Sequence, residues 1–367
     1  MATVYDIALA MTPGIGNASC RRLMELCPSA EELFSLSHKQ LVELFGNHRD
    51  IIAAIEERTA MPRAEKEMRY AESKGIRPVF FTEEAYPQRL NRDDCTDSPA
   101  LIYVLGNVDL NFKRSISVVG TRHSTPQGRE NTCMLVNQLA AYNTAIISGL
   151  AYGIDTASHI AALDCNLPTV AVLGHGLDRI YPYQNRPLAS RIVHNGGALV
   201  TEYPSETPIN PRHFPARNRI IAALGDATVV VEASMKGGAL ITAAIASSYH
   251  RDVFAVPGRL TDTYSAGTNN LIATNRACML RNAEDIAMQL CWPVAGQQMS
   301  IAVESRQKLT PDEVRITELF NNNQTLTLDE LVRLSGMPTP KTASLLFNLE
   351  VNHVIRALPG HYYELCS

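Results

Sequence analysis

The chain has 367 residues, 46% of them hydrophobic and 19% charged, which sets it among globular proteins of two or three domains. Its net charge of −4 excludes a protein that binds nucleic acid through overall basicity, so any such binding must come from local patches. No apolar run is long enough to span a bilayer and no secretory leader opens the sequence, which points to a cytoplasmic protein without a membrane partner. The 8 cysteines (Cys20, Cys27, Cys95, Cys133, Cys165, Cys278, Cys291 and Cys366) are scattered, with no CxxC pair. They read as reduced thiols with no joint role, and no metal site is expected.

Residues 1–82 read as a small helical domain. Apolar residues at helical spacing predict helices over Val4–Met11, Ala18–Cys27, Ala30–Leu36, Lys39–Phe45 and Asp50–Ala60. Thr12-Pro13-Gly14-Ile15-Gly16-Asn17 joins the first two. A helix, a Gly-x-Gly turn and a second helix resemble a SAM-like helix–hairpin–helix unit, in which turn amides grip a nucleic-acid phosphate. Arg21 and Arg22 flank the turn. A plain helix–helix connection reads equally well from these residues.

Residues 83–292 alternate strand and helix. Strands are predicted at Leu101–Leu105, Ile116–Val119, Ala145–Ile147, Thr169–Leu173, Ala198–Val200, Thr228–Val231 and Val253–Val256. Helices are predicted at Gly128–Ala141, Ile154–Leu163, Arg186–Val193, Ile220–Leu224 and Ala239–Tyr249. This alternation predicts an α/β fold, a doubly wound Rossmann-like parallel sheet with helices on both faces. Ligands of such sheets bind beyond the carboxyl ends of the strands.

Residues 293–308 carry Pro, Gly, Gln and Ser and read as a linker. Over 309–367, helices are predicted at Asp312–Phe320, Thr327–Leu334 and Thr339–Leu349, with Thr327 as an N-cap and Gly336 as a stop. A hairpin follows, Val354–Leu358 and Tyr362–Leu365 through Pro359-Gly360. The order is that of a winged helix. Its candidate reading helix has Lys341 as its single cation, fewer than duplex readers carry. A protein-binding module and a duplex reader both remain open.

The strand-end loops of the middle region narrow the ligand. No GxGxxG follows a strand and no GxxxxGK[ST] occurs, so neither a dinucleotide nor a P-loop nucleotide is expected, and no cofactor. Instead Gly120-Thr121-Arg122, Ser148-Gly149 and Lys236-Gly237-Gly238 follow strands. Arg212, His213, Arg217 and Arg219 form a cationic loop with no acid between Thr207 and Gly225. Lys236-Gly237-Gly238 opens a helix, whose first N–H groups are free and attract anions. With Phe214 and Asn218 these residues make a candidate phosphate site.

At this point the ordered motifs resemble a known family. Ser117-Val118-Val119-Gly120-Thr121-Arg122, Ser148-Gly149-Leu150-Ala151-Tyr152-Gly153-Ile154-Asp155, Phe214 to Ile221, Gly238-Ala239-Leu240-Ile241-Thr242-Ala243 and Val253-Phe254-Ala255-Val256-Pro257-Gly258 together resemble the bacterial DprA (Smf) family. Gly174-His175-Gly176-Leu177-Asp178 with Ile180-Tyr181-Pro182, and Thr201-Glu202-Tyr203-Pro204, match it too. The resemblance implies an extended Rossmann fold, homodimers formed through it, and single-stranded-DNA binding without catalysis. It also implies protection of incoming DNA in natural transformation and loading of the RecA recombinase. It carries the DNA pocket onto Arg122, onto Arg212, Phe214, Arg217 and Asn218, and onto Lys236, Gly237 and Gly238. Many members have Ser-Gly-Ser or Lys-Ser-Gly at Lys236-Gly237-Gly238, so the backbone contribution carries over without a side-chain hydroxyl.

Individual residues keep two readings. Phe214 is a stacking face for a base, or a core residue before Pro215. Arg217 and Arg219 bind phosphate or pair with Glu202 or Glu206, and one of the two is expected to be structural. Asp155 and Asp178 read as capping and turn residues, and His159 as a packed histidine. The competing enzyme reading is a Rossmann-like nucleotide phosphoribohydrolase using Glu232. A third reading is a transcriptional regulator acting through residues 309–367.

Overall fold

Short runs of β-branched and small apolar residues build the sheet at the centre of the first of two compact units, Met1–Val294 and Ala295–Ser367. The computed structural model describes residues 2–293, 310–320, 325–351, 354–358 and 362–365. The strands are β1 (Ile76–Phe80), β2 (Leu101–Leu105), β3 (Ser115–Val119), β4 (Ala145–Ser148), β5 (Thr169–Val172), β6 (Ala198–Thr201), β7 (Ala227–Val230), β8 (Asp252–Ala255) and β9 (Cys278–Met279). Their order is β1-β2-β6-β5-β4-β3-β7-β8-β9. From β6 to β9 every neighbour is parallel, while β2 joins β6 and β1 joins β2 antiparallel.

Six helices precede the sheet: α1 (Val4–Met11), α2 (Asn17–Leu26), α3 (Ala30–Leu33), α4 (His38–Phe45), α5 (Arg49–Glu56) and α6 (Met61–Lys74). Within it come α7 (Pro126–Leu139), α8 (Ile154–Asp164), α9 (Arg186–His194), α10 (His213–Leu224), α11 (Gly238–Ser248), α12 (Ala266–Ala273) and α13 (Ala283–Gln289).

Side chains alternate across the sheet with the period of a strand, so each strand feeds two cores. Val119, Ile147, Val172 and Val230 pack with Ile220, Ile221 and Ala243 of α10 and α11. Val118, Ile146 and Val229 point the other way, to Leu135, Val136, Ala162 and Ile286 of α7, α8 and α13. The doubly wound Rossmann-like sheet expected from sequence is thus the observed architecture.

The N-terminal helices belong to the same compact unit as the sheet. Ile7, Leu33 and Ile55 share a core with Ile76, Phe80, Leu101 and Tyr103 of β1 and β2. Glu67 on α6 is buried and accepts from the Ser205 N–H (2.8 Å) and hydroxyl (2.5 Å), which ties α6 to the loop after β6. Arg21 turns inward, bonded to Asn91 and Tyr86 and 4.6 Å above the Phe81 ring. Arg22, its neighbour, is exposed.

Several elements differ from the sequence expectation. β1 lies inside the region read as helical, and Pro78 is tolerated there because β1 is an edge strand. The cationic stretch at Arg212–Arg219 is not a loop but the first two turns of α10, with Arg212 at its N-cap. Pro215 sits within the first turn, where backbone N–H groups have no helical partner to lose.

In the second unit, helices Pro311–Thr317, Leu328–Ser335 and Thr339–Val351 accompany β10 (Leu326–Thr327), β11 (Ile355–Leu358) and β12 (Tyr362–Leu365), in the antiparallel order β10-β12-β11. Thr327 caps the second helix in a capping box with Glu330, and Gly336 closes it at φ 67°. Ile316, Leu331, Leu346, Leu349 and Ile355 form the core. This is the winged-helix arrangement. Pro359-Gly360, Cys366 and, beyond Pro293, the expected linker over 293–308 lie outside the described residues. Among the described residues no helix is long and apolar enough to cross a membrane, every cysteine is a free thiol, and no group of three or more His, Cys, Asp or Glu is placed to hold a metal.

Candidate nucleic-acid interface

β3 and β7 lie side by side, yet the chain leaves them in opposite directions. β3 leads through α7 to β4, and β7 leads through α11 to β8 on the other side. Such a reversal opens a crevice at the carboxyl ends. Here it is a cleft of about 520 Å³ between the β3 loop, α10 and the start of α11. A hollow of about 910 Å³ lies between α2, α4 and α5 at the Gly14 turn. It is larger, but it adjoins no strand end and includes Asp50 beside Arg22 and Arg49, so the strand-end cleft has the better claim to a polyanion.

The helical spacing of α10 decides which cations face the cleft. Phe214, Arg217, Asn218 and Ile221 stand at i, i+3, i+4 and i+7 and line it as one stripe. Arg219 lies about 200° around the helix from Arg217. It pairs instead with Glu202 and lies 3.9 Å from Asp97. Arg219 is therefore outside the cleft and structural, as one of that pair was expected to be. Arg212 is exposed at the N-cap and is not among the residues lining the cleft.

Arg217 forms the floor. Only 4% of its surface is exposed. Its Nη1 donates to the carbonyls of Gly149 (2.6 Å) and Val172, at the ends of β4 and β5. Burial pushes this guanidinium down to about 10, against the pull of nearby Asp155. Burial likewise pushes the Asp155 carboxyl above its usual range, opposed chiefly by Arg217 and by the Ala151 N–H. Gly149 has a different task from the one expected. A Cβ there would lie 2.5 Å from the Arg217 guanidinium, so Gly149 makes room for Arg217. Ser148 is fully buried, and its hydroxyl donates to the Val118 carbonyl at 2.7 Å, which removes it from the cleft surface.

The rim is different. Gly120, Thr121 and Arg122 line the cleft after β3. Arg122 is exposed, has no carboxylate partner among the described residues, and stands 5.6 Å over the Phe214 ring. Tyr181 also packs on Phe214, with centroids 5.6 Å apart and planes tilted by 40°. Its backbone N–H donates to Nε2 of buried His175 (3.2 Å), whose Nδ1–H donates to the Gly176 carbonyl (2.9 Å). Phe214 therefore presents a partly exposed aromatic face in the cleft and is not a core residue.

The opposite wall is the start of α11. Gly237 is its N-cap and supplies no side-chain hydrogen bond. A Cβ at Gly238 would meet nothing within 4 Å, so a ligand can approach the backbone there, while the Gly237 N–H is already donated to the Ser234 carbonyl at 2.9 Å. Lys236 precedes them, exposed and without a carboxylate partner among the described residues, but it is not among the residues lining the cleft. The structure thus gathers Gly120, Thr121, Arg122, Phe214, Arg217, Asn218, Gly237 and Gly238 at one cleft.

Two other titratable groups are accounted for by packing. His159 is fully buried, with Nδ1 2.7 Å from the Thr169 hydroxyl, and burial pushes its imidazole down to about 3. The Glu232 carboxylate is 6% exposed, accepts from the Thr125 N–H (3.0 Å) and hydroxyl (2.5 Å), and is not among the residues lining the cleft.

The region that holds this cleft matches known proteins. A family model described as DNA recombination-mediator protein A matches residues 77–291, more than half of the chain. The chain belongs to the DprA (Smf) family. A second DprA model, the winged helix domain, matches residues 302–361. The chain is 34% identical to Protein Smf of Escherichia coli K12 over 288 residues, 77% of this chain and 75% of that one. It is 40% identical to DNA processing protein DprA of Streptococcus pneumoniae R6 over 211 residues, 57% of this chain and 73% of that one. The X-ray structure of DprA from Streptococcus pneumoniae superposes with a TM-score of 0.66 at 31% identity, covering 78% of this chain and 98% of that one. DprA from Helicobacter pylori, solved for its single-stranded-DNA binding mode, superposes at 0.52 and 28% identity, covering 59% and 95%.

In this DprA-family chain, Tyr181 and His123 also line the cleft, although sequence reasoning assigned them no site role. Tyr181 was visible in the Ile180-Tyr181-Pro182 motif. Its approach to Phe214 depends on the pairing of β5 with its neighbours, which local spacing does not reveal.

Proposed function

We propose that this chain binds single-stranded DNA in the cleft between β3 and β7, protects it, and loads the RecA recombinase onto it without cutting it. The observation that carries this reading is the pairing of unlike surfaces across one cleft. The uncapped N-terminus of α11 faces an aromatic ring overlaid by a free arginine. Open amides and a cation suit phosphates, and Phe214 with Tyr181 suits the face of an unpaired base. A duplex keeps its bases stacked within and offers no such face. Family membership supports the recombinase partner, homodimers through the sheet unit, and a cytoplasmic setting as parts of the same proposal. On this reading Arg122, Lys236, Gly237 and Gly238 hold phosphate, Phe214 stacks, and Arg217 shapes the floor.

The phosphoribohydrolase reading loses its acid, because Glu232 is bonded to Thr125 and is absent from the cleft lining. The test is fluorescence anisotropy of the full chain with a labelled single strand and with the matching duplex. Preference for the single strand is expected, with no free base released from nucleoside monophosphates in parallel. Equal binding of the duplex, or base release, would overturn the proposal.

A further inference from the structure

The loop between β5 and α9 borders two hollows. Its stretch Ile180-Tyr181-Pro182-Tyr183 gives Tyr181 to the cleft, and gives Ile180 and Tyr183 to a second hollow of about 470 Å³ beside α9. The second hollow has an apolar lining, with Leu105, Leu177 and Val193 each partly exposed in it. A largely apolar hollow of this size with a few charges at its rim is the usual form of a small-ligand site. Asp178 is the one acid among the described residues that line it, and it pairs with Arg179 at 2.6 Å. Arg186, the first residue of α9, lines it too. It is exposed and has no hydrogen bond or ion pair among the described residues, so it leaves the rim positive.

The border between the two hollows is pinned, while its rings stay bare. The Tyr181 N–H donates to Nε2 of His175 at 3.2 Å. The side-chain amide of buried Asn185 donates to the Leu150 carbonyl (2.8 Å) and the Thr156 hydroxyl (2.9 Å). The Tyr152 hydroxyl donates to the Gln184 side-chain carbonyl. Yet Tyr181 is 44% exposed and Tyr183 71% exposed. Tyr183 makes no side-chain hydrogen bond or ring contact among the described residues. A large aromatic face left in water on a fixed support suits a base, since every base has a π-face to lay on it. Two residues of extended chain span at most about 7 Å, a step within reach of one nucleotide. A strand with one base at Phe214 and Tyr181 can therefore place a neighbouring base at Tyr183. Continuity with the cleft and the free cation together favour a nucleotide there over an apolar peptide.

We propose that the hollow beside α9 takes a second unpaired base of the strand that crosses from the cleft, with Tyr183 stacking on the base and Arg186 holding its phosphate. This subsite rests on single-strand binding at the cleft. Its test uses the full-length chain and an oligothymidine in which 5-iodouracil replaces thymine, a base that cross-links under light to an aromatic ring stacked on it. Mass spectrometry then locates the adducts. Adducts are expected at Tyr183 as well as at the cleft rings. Tyr183→Ala removes the first and keeps the second, and affinity falls about tenfold, the scale of one lost base–aromatic stack. Tyr183→Phe keeps the ring and restores the affinity. Arg186→Ala reduces the salt dependence of log K by roughly 0.7, one phosphate contact. Both side chains are exposed, so neither alanine variant moves the unfolding midpoint. If adducts form in the cleft alone and Tyr183→Ala binds the strand as the unsubstituted chain does, the second subsite is wrong and the cleft stands. If the unsubstituted chain binds no single strand, the cleft reading falls and the second subsite with it.

Discussion

The sheet edge between β3 and β7 and the helix Thr339–Val351 both qualify by fold as places where nucleic acid binds, but their chemistry differs. At the sheet edge Arg122 and Lys236 are exposed without carboxylate partners among the described residues, and buried Arg217 is bonded to the carbonyls of Gly149 and Val172. On the winged-helix side, the single cation of the helix, Lys341, pairs with Asp312 at 2.6 Å. The same helix exposes Phe347 at 65%, and Leu334 on the preceding helix at 49%. A neutralised lysine and exposed apolar side chains suit a protein partner better than a duplex. Architecture supplies two candidate sites, and side-chain chemistry distinguishes them.

The largest effect that sharpens this contrast belongs to the floor. Arg217→Ala strands the Gly149 and Val172 carbonyls and leaves Asp155 buried without its nearest cation. It is expected to lower unfolding free energy by about 3 kcal/mol, measured by denaturant titration. Next comes the rim. Arg122→Ala is expected to weaken single-strand binding about tenfold, through the lost phosphate contact and the uncovered Phe214, with the unfolding midpoint unchanged. Lys236→Ala acts through phosphate alone, and is expected to reduce the salt dependence of log K by roughly 0.7 with a smaller loss of affinity. The smallest effect belongs to the other region. Lys341→Ala removes a solvent-exposed pair worth less than about 1 kcal/mol and is expected to leave single-strand affinity unaltered. A DNA-binding loss in Lys341→Ala equal to that of Arg122→Ala would erase the contrast.

Much of this was legible in sequence because buried parallel strands are continuous apolar runs. β3, β4, β5 and β7 were each placed to within a residue at either end, and the glycine and cation motifs after them fell on the correct edge. β1 was missed because Arg77 and Pro78 break its pattern, which an edge position tolerates. α6 was missed because its fourteen residues expose most of their charges and bury little beyond Ala64, Glu67 and Ala71. The start of α10 was hidden by its own charge, since a run of Arg and Pro reads as loop. Within the site, orientation was the illegible part. Whether Ser148, Gly149, Arg217 and Arg219 face ligand or protein depends on strands and helices distant in sequence.

The most direct measurement is the slope of log K against log salt for single-strand binding by the full chain and by Arg122→Ala/Lys236→Ala. Loss of two phosphate contacts is expected to lower its magnitude by roughly 1.4. A slope identical in both proteins would mean that the polyanion is held somewhere else.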